Sequence, residues 1–373
     1  MKIVVVAPVH IYDDIRVFRK EAVTLAQAGH EVILYARTPD GRPLVRDGVT
    51  VKPVRHSSRL SRFAQLPALA RRVYKERADV YHIHNPDTLP IGFALRHRGC
   101  RVIYDTHEDF RSEILLRQWL PTMARRPAAA LVAKLERRAG REFDAVIVTQ
   151  PQLVRRIPEA VVIGNPPLVD AASAELAAEA RERWLLAQSA DEPLVLGYIG
   201  GVSADRGLWR MLDLVAALAR SGPARLLLIG PAVNDKALAG ARTRPEWRFV
   251  DYRGQLPQEE AFAELAKAHL GLILFEDVAS HRFVDPNKIY EYLAVGLPFV
   301  ATAFPGWVER LGAADVGLFV DAGADLAETA DKIRALASDR PALAAAGHRA
   351  VRFVSAEYSW QANGAPELLR VYD

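Results

Sequence analysis

The chain has 373 residues, of which half are hydrophobic and a quarter are charged. This length predicts two domains, and the composition is typical of a globular enzyme rather than of a disordered or fibrous protein. Its apolar runs are shorter than the roughly 18–20 residues that a membrane-spanning helix needs. The single cysteine excludes an internal disulfide. We therefore expect a cytoplasmic protein.

The charge is distributed unevenly. Residues 1–168 contain 28 Lys and Arg against 17 Asp and Glu, whereas the rest of the chain is acidic and the total is +4. A basic first half favours an anionic partner, such as a lipid-linked phosphate or the surface of a membrane touched peripherally. No recognisable nucleic-acid motif accompanies the charge, so nucleic acid is not expected. Scattered solvated arginines are the alternative explanation.

The first half alternates strands and helices. Residues 3–7 form a continuous apolar run, which is typical of a parallel strand buried on both faces. A helix follows and ends at Gly29. Further strands are predicted at 31–35, 78–84, 101–105, 145–149 and 161–163, with helices near 89–96 and 127–142. No G-x-G-x-x-G follows the first strand, which argues against a Rossmann-type dehydrogenase.

A second strand–helix series follows the double proline at 166–167, where we place a hinge. Its predicted strands are 193–199, 224–229, 247–252, 270–275, 299–301 and 317–320. Its predicted helices are 171–186, 208–219, 258–267, 289–294, 325–335 and, apart from Gly364 and Pro366, 355–372. Such alternation implies parallel sheets, so we predict an α/β protein with two doubly wound domains and ligands at the carboxyl ends of the strands.

Residues 285–302, DPNKIYEYLAVGLPFVAT, carry the strongest functional signal. They predict a loop, a short helix ended by Gly296, and a buried strand. Lys288 and Glu291 are neighbours at the start of the helix, where free N–H groups and the helix dipole favour an anion. The pattern suits a phosphorylated, hydroxylated ligand, and a surface ion pair is the alternative.

This stretch resembles the donor-binding signature of glycosyltransferases with the GT-B fold, most of all retaining family 4. Other segments that resemble this family, in the same order, are 14–32, 104–108, 162–166, 200–207 and 358–372. The resemblance implies two Rossmann-like domains facing each other across a cleft: an acceptor-binding domain at 1–168 and a nucleotide-sugar-binding domain at 169–352. Residues 353–373 would form a helix returning to the first domain.

The implied activity is transfer of a sugar from a UDP-, GDP- or ADP-linked donor to a hydroxyl of a polysaccharide, lipid-linked glycan or small molecule, with retention of configuration. Lys288 and Arg206 would face the diphosphate, and Glu291 the ribose. The predicted donor-binding residues are Gly200, Gly201, Arg206, Gly254, Gln255, Arg282, Asn287, Lys288 and Glu291. The family usually has lysine at 206, arginine at 201 and glutamate at 283, where this chain has Arg206, Gly201 and Phe283. Arg282 is the candidate to replace the arginine.

His107 follows a strand of the first domain, and the resemblance implies that it acts catalytically on the donor sugar. A structural histidine paired with Glu108 is the alternative. His10, Asp14 and Arg16 are predicted to meet the acceptor, although Asp14 could instead cap a helix.

We expect no metal or other cofactor. His82 and His84 have no third ligand at a suitable spacing, and the chain contains no D-x-D. Two other functions stay open. A nucleotide-sugar epimerase or phosphorylase of similar fold would act on the donor without an acceptor. A non-catalytic nucleotide-binding partner in glycan assembly would account for the departures at positions 201 and 283.

Overall fold

A computed structural model describes residues 1–55, 58–116, 120–189, 191–278, 281 and 287–373. The chain forms two compact units, one made of Met1–Asn165 with Asn363–Asp373 and the other of Pro166–Ala362. The division after Asn165 falls at the predicted hinge. The tail that joins the first unit begins ten residues later than 353, because the helix before it belongs to the second unit.

The first unit is built on one sheet, which has eight strands within the described residues. They are β1 Lys2–Ile11, β2 Glu31–Arg37, β3 Leu44–Arg46, β4 Val49–Pro53, β5 Val80–His84, β6 Arg101–Thr106, β7 Ala145–Val148 and β8 Val161–Val162. Their order is β3-β4-β2-β1-β5-β6-β7-β8. All neighbours are parallel except β3 and β4. The apolar run 3–7 lies in a central strand and is fully buried, as parallel sheets covered on both faces require.

The second unit contains a parallel sheet with six strands among the described residues. They are β9 Leu194–Ile199, β10 Ala224–Ile229, β11 Val250–Gly254, β12 Leu270–Ile273, β13 Phe299–Thr302 and β14 Gly317–Val320. The order is β11-β10-β9-β12-β13-β14. The carboxyl ends of β9, β10 and β11 are therefore adjacent. β11 starts later than predicted because Pro245–Phe249 forms a short 3₁₀ helix with proline in its first turn.

Helices surround both sheets. They are α1 Val23–Gln27, α2 Arg59–Tyr74, α3 Leu89–Arg96, α4 Phe110–Leu116, α5 Thr122–Glu142, α6 Ala171–Ala187, α7 Leu208–Leu218, α8 Asp235–Arg242, α9 Gln258–Leu265, α10 Asn287–Ala294, α11 Pro305–Leu311, α12 Leu326–Ser338, α13 Arg340–Glu357 and α14 Ala365–Tyr372. A π-helical stretch, Ile15–Ala22, directly precedes α1 and is continuous with it. In the described part of the chain, no helix has the length and apolar character needed to cross a membrane.

The C-terminal stretch 355–372, predicted to be helical apart from Gly364 and Pro366, is helical over most of its length, and both of these residues lie in helical elements. It is nevertheless divided, with a π-helical turn at Trp360–Gly364 between two α-helices. α13 ends at Glu357, and α14 begins separately at Ala365. Pro366 lies within the first turn of α14, a position where the missing N–H of proline leaves no helical hydrogen bond unmade. The predicted stop at Gly296 is confirmed, since this glycine follows α10 with a φ of 65°, the left-handed conformation of a helix C-cap.

The two faces of the first sheet differ in character. Tyr81 and Ile83 of β5 and Tyr104 of β6 belong to an apolar core. Because side chains alternate along a strand, His82, His84 and Asp105 point to the opposite face. There they meet the π-helical stretch, whose Arg16 lies 2.9 Å from Asp105. A group of buried polar side chains thus lies under one face of the sheet.

Candidate functional site

Three loops in the second unit pack together at the carboxyl ends of neighbouring strands. They contain Gly200 after β9, Gly230 after β10 and Gly254 at the end of β11, with φ values of 132°, 136° and 64°. The Gly230 N–H donates to the Gly254 carbonyl at 2.7 Å, and a Cβ on Gly230 would overlap the carbonyl of Gly200. The φ values of Gly200 and Gly230 require glycine, and Gly230 also needs it for the close approach, so backbone atoms line this place, which we call the glycine floor.

Two cationic side chains lie on this floor. A Cβ on Gly200 would overlap Cε of Lys288, and a Cβ on Gly201 would lie 2.6 Å from Nη1 of Arg206. Burial lowers the pKa of Lys288, the nearby Arg206 lowers it further, and Glu291 opposes the shift. The two positive charges therefore repel each other, and an anion placed between them would be stabilised by both.

Gly207 holds Arg206 in this position. It precedes α7 with a φ of 83°, and a Cβ here would overlap the carbonyl of Leu274. Arg206 therefore leaves a tight turn and folds back over Gly201. Its guanidinium lies close to Gly201, and Nη1 is 3.5 Å from the Gly201 carbonyl oxygen.

The other predicted donor residues lie near Lys288 or Gly254 along the chain, or fall outside the described residues. Asn287 begins α10, and Glu291 follows Lys288 on the same helix. Gln255 comes directly after Gly254 and is exposed. Arg282 and Phe283 lie outside the described residues. The sequence reasoning missed Ser203, which is 5% exposed and whose Oγ has no hydrogen-bond partner among the described residues.

In the first unit, His10 and Asp14 form a hydrogen-bonded pair. Asn85 donates from Nδ2 to Nε2 of His10 at 2.8 Å, so Nδ1 of His10 carries the proton and donates to Oδ2 of Asp14 at 2.9 Å. The other oxygen of Asp14 accepts from the N–H groups of Arg16 and Val17. Asp14 therefore caps the helix and also orients His10. Burial alone would raise the pKa of Asp14, but the hydrogen bond from His10 opposes it, and the pKa is lowered to about 2.

His107 lies beside this pair. Its ring centre is 5.2 Å from that of His10, and its side chain is 14% exposed. Nε2 of His107 is 3.0 Å from Nδ1 of His84 and 3.5 Å from Oδ1 of Asp105. The sequence alternative paired His107 with Glu108. The ring contacts found here are instead with His84 of β5 and Asp105 of β6. Burial lowers the pKa of His107 to about 3, so its ring is neutral near pH 7.

Arg16 is the charged centre of the buried polar group. Its guanidinium lies 2.8 Å from Oε1 of Glu21, donates to Asp105 at 2.9 Å and donates to the carbonyl of Gly164 at 2.9 Å. Arg16 is only 5% exposed. This position favours an electrostatic role inside the unit over the predicted contact with an acceptor.

Four side chains of the group have metal-like spacing. One ligand atom from each of Glu21, His82, His84 and Asp105 lies within 4.8 Å of the others. The spacing of residues in the sequence does not reveal this cluster, because Glu21 comes from the π-helical stretch and Asp105 from β6, whereas both histidines are on β5. However, the positively charged Arg16 already contacts both carboxylates that a cation would need as ligands. The residues therefore fit an ion-pair network better than a metal site.

Comparison with known proteins defines the family. A family model described as "Glycosyl transferase 4-like domain" matches residues 15–169. A second, described as "Glycosyl transferases group 1", matches residues 193–339. The chain is a group 1 glycosyltransferase. A search of curated protein sequences gives no match to it.

Solved structures confirm that this glycosyltransferase has the GT-B fold of two Rossmann-like domains. Sucrose-phosphate synthase from Thermosynechococcus elongatus is 19% identical, with a TM-score of 0.68 over 100% of this chain and 98% of that one. Anabaena Alr3699/HepE in complex with UDP is 16% identical, with a TM-score of 0.67 over 100% of both chains. WaaG, a glycosyltransferase involved in lipopolysaccharide biosynthesis, is 15% identical, with a TM-score of 0.64 over 98% of this chain and 97% of that one.

Proposed function

We propose that this glycosyltransferase moves a sugar from a nucleoside diphosphate sugar to an acceptor hydroxyl, with retention of the anomeric configuration and without a metal ion. The observation that carries the proposal is the pair of cations, Lys288 and Arg206, on the glycine floor of the second unit. A leaving diphosphate gains negative charge as the glycosidic bond breaks, and fixed cations stabilise that charge.

Further support comes from the way the cations are held. Lys288 is largely withdrawn from solvent and its pKa is lowered by that burial and by Arg206. A bound diphosphate would relieve this repulsion, so the site is prepared for an anion before the anion arrives. Glu291 on the same helix is proposed to accept hydrogen bonds from the ribose hydroxyls. Anabaena HepE has been crystallised with UDP and with UDP-glucose, which makes these ligands the first probes.

We assign the first unit to the acceptor side of the reaction. His107 is the proposed catalytic residue and would contact the sugar during transfer. His10 and Asp14 would orient the acceptor hydroxyl, since their hydrogen bond fixes the position of the His10 ring. The basic balance of residues 1–168 supports an acceptor that carries phosphate, such as a lipid-linked glycan at the cytoplasmic face of a membrane.

The test combines a donor screen with a transfer assay. Thermal-shift measurements with UDP, GDP and ADP identify the base, because a bound nucleotide raises the melting temperature by mass action. The corresponding nucleotide sugars are then incubated with candidate acceptors, and the anomeric configuration of the product is read by NMR. We expect transfer with retention and full activity in the presence of EDTA. An inverted product, or activity lost to EDTA and restored by a divalent ion, would refute the corresponding part of the proposal.

The same experiment separates the alternatives. An epimerase or phosphorylase would change the donor sugar in the absence of any acceptor. A non-catalytic partner would bind a nucleotide and leave every nucleotide sugar unchanged. The two cations on the glycine floor argue against the second alternative, because fixed positive charge stabilises the leaving diphosphate and is not needed merely to bind a nucleotide.

A further inference from the structure

A closed ring of polar side chains lies under His107 in the first unit. Its members are Arg16, Glu21, His84, Asp105 and His107, each within 3.5 Å of the next. Glu21, His84 and Asp105 have no exposed surface. We propose that His84 and Asp105 are positioning residues that hold the ring proton of His107 on Nε2, so that Nδ1 is presented to the ligand as a hydrogen-bond acceptor. This inference rests on the proposed function and specifies how His107 would serve it.

The first step concerns the neighbours of Nε2. This atom lies 3.0 Å from Nδ1 of His84 and 3.5 Å from Oδ1 of Asp105. An ionised carboxylate only accepts hydrogen bonds, and Arg16 keeps Asp105 ionised by lowering its pKa to about 2 in spite of burial. A lone pair on Nε2 would face this negative oxygen, whereas an N–H would be attracted to it. The proton of the neutral His107 ring therefore belongs on Nε2.

The second step follows from the single proton of a neutral imidazole. If His107 donates from Nε2, then Nδ1 of His84 accepts, and His84 must carry its own proton on Nε2. That atom lies 3.5 Å from Oε2 of Glu21. Both atoms are buried and have no hydrogen-bond partner elsewhere in the described part of the chain. The N–H of His84 Nε2 would therefore face this carboxylate oxygen, which is an electrostatic contact at 3.5 Å.

The third step concerns the charge of the ring. Arg16 is a cation, and it keeps Asp105 an anion by lowering the pKa of that carboxyl in spite of burial. Burial lowers the pKa of His84 well below its usual range. Arg16, in contact with both carboxylates, already places one positive charge in this buried group. Protonating His107 would add an unpaired charge to a buried group, so His107 is held as a neutral acceptor.

Wild-type protein labelled with ¹⁵N-histidine provides the direct test. Long-range ¹H–¹⁵N correlation spectra distinguish the two imidazole tautomers, and the signals of His107 are identified by their loss in His107→Gln. We expect the proton on Nε2 near pH 7. A proton on Nδ1, or a doubly protonated ring, would overturn the proposal, and the tautomer itself is read from the wild-type protein.

Variants of His84 test the cause. His84→Asn keeps an amide close to the former Nδ1 and should retain the His107 tautomer, whereas His84→Leu leaves only Asp105 to hold the proton and should weaken the Nε2 preference. His82→Leu is the matched control. His82 lies on the same strand and face, and its ring stacks on that of His84 at 4.4 Å, but its Nδ1 bonds to Tyr372 rather than to His107. If the His107 tautomer is unchanged in His84→Leu, then His84 does not position the proton, and its assignment as a positioning residue is wrong.

Kinetics then connect the tautomer to the reaction. With the nucleotide sugar found in the donor screen, His84→Leu should lower kcat about tenfold or more. The Kd for the free nucleotide should stay within about twofold, because Lys288 and Arg206 lie in the other unit. Equal losses of kcat and nucleotide affinity would overturn the positioning role. If no nucleotide binds the wild type, the proposed function fails. The tautomer of His107 is decided separately, because the NMR measurement needs no nucleotide.

Discussion

The buried histidines make the first unit sensitive to acid. His82 has no exposed surface, and burial lowers its pKa from 6.5 to about 4. The unfolded chain therefore takes up a proton on His82 below about pH 6.5, whereas the folded chain does not do so until about pH 4. The stability that this group contributes is present above pH 6.5 and is lost as the pH falls through this window. Linkage gives a loss of about 2 kcal/mol between about pH 7 and about pH 5.

Chemical denaturation of the wild type and of His82→Leu at these two pH values measures this loss. The variant is expected to be less stable than the wild type at neutral pH, because it removes the hydrogen bond to Tyr372. However, the free energy of unfolding of the wild type should fall by about 2 kcal/mol more than that of the variant on acidification. Replacing the exposed His97 by glutamine serves as the control. Equal acid sensitivity of the wild type and His82→Leu would refute the reasoning.

Two further predictions concern the backbone floor and the C-terminal tail. Gly207→Ala forces a side chain into the left-handed region and against the carbonyl of Leu274, so it should destabilise the second unit by at least about 1 kcal/mol in urea unfolding. The exposed Gly323→Ala, which meets no atom within 4 Å, should change little, and equal effects of the two would contradict this explanation. Tyr372→Phe removes the hydroxyl that lies 2.7 Å from Nδ1 of His82 and should cost about 1–3 kcal/mol in the same assay. A neutral result would show that this buried hydrogen bond does not contribute.

The elements that the sequence predicts well are those with strong local signals. Parallel strands buried on both faces appear as uninterrupted apolar runs, such as 3–7 and 224–229. α10 is predicted because Gly296 and Pro298 mark its end within a few residues. By contrast, α2 is not predicted, since Pro67 lies inside it and interrupts the pattern by which helices are found. The short strands β3 and β4 offer too few residues for a clear alternation.

The candidate site divides in the same way. Lys288 and Glu291 are local to one helix, and their proximity follows from helical spacing. The ring under His107 combines a helix and two strands, so no spacing in the sequence reveals it. Two signals were nevertheless present. Glu21 is spaced four residues from Val17 and from Leu25, which places it on the buried face of the helix. His82 and His84 alternate with core residues and must therefore share the opposite face of the sheet.

Calorimetric titration of nucleotides into Lys288→Met most directly tests the central claim, that the glycine floor with Lys288 and Arg206 binds the diphosphate of the donor. Lys332→Met, which removes an exposed lysine of the same unit, is the matched control. The loss of one charge-assisted hydrogen bond is worth about 1.5–3 kcal/mol, so Kd should rise about 10- to 100-fold in Lys288→Met and stay unchanged in the control. An unchanged Kd in Lys288→Met, or no binding of UDP, GDP or ADP to the wild type, would contradict the account.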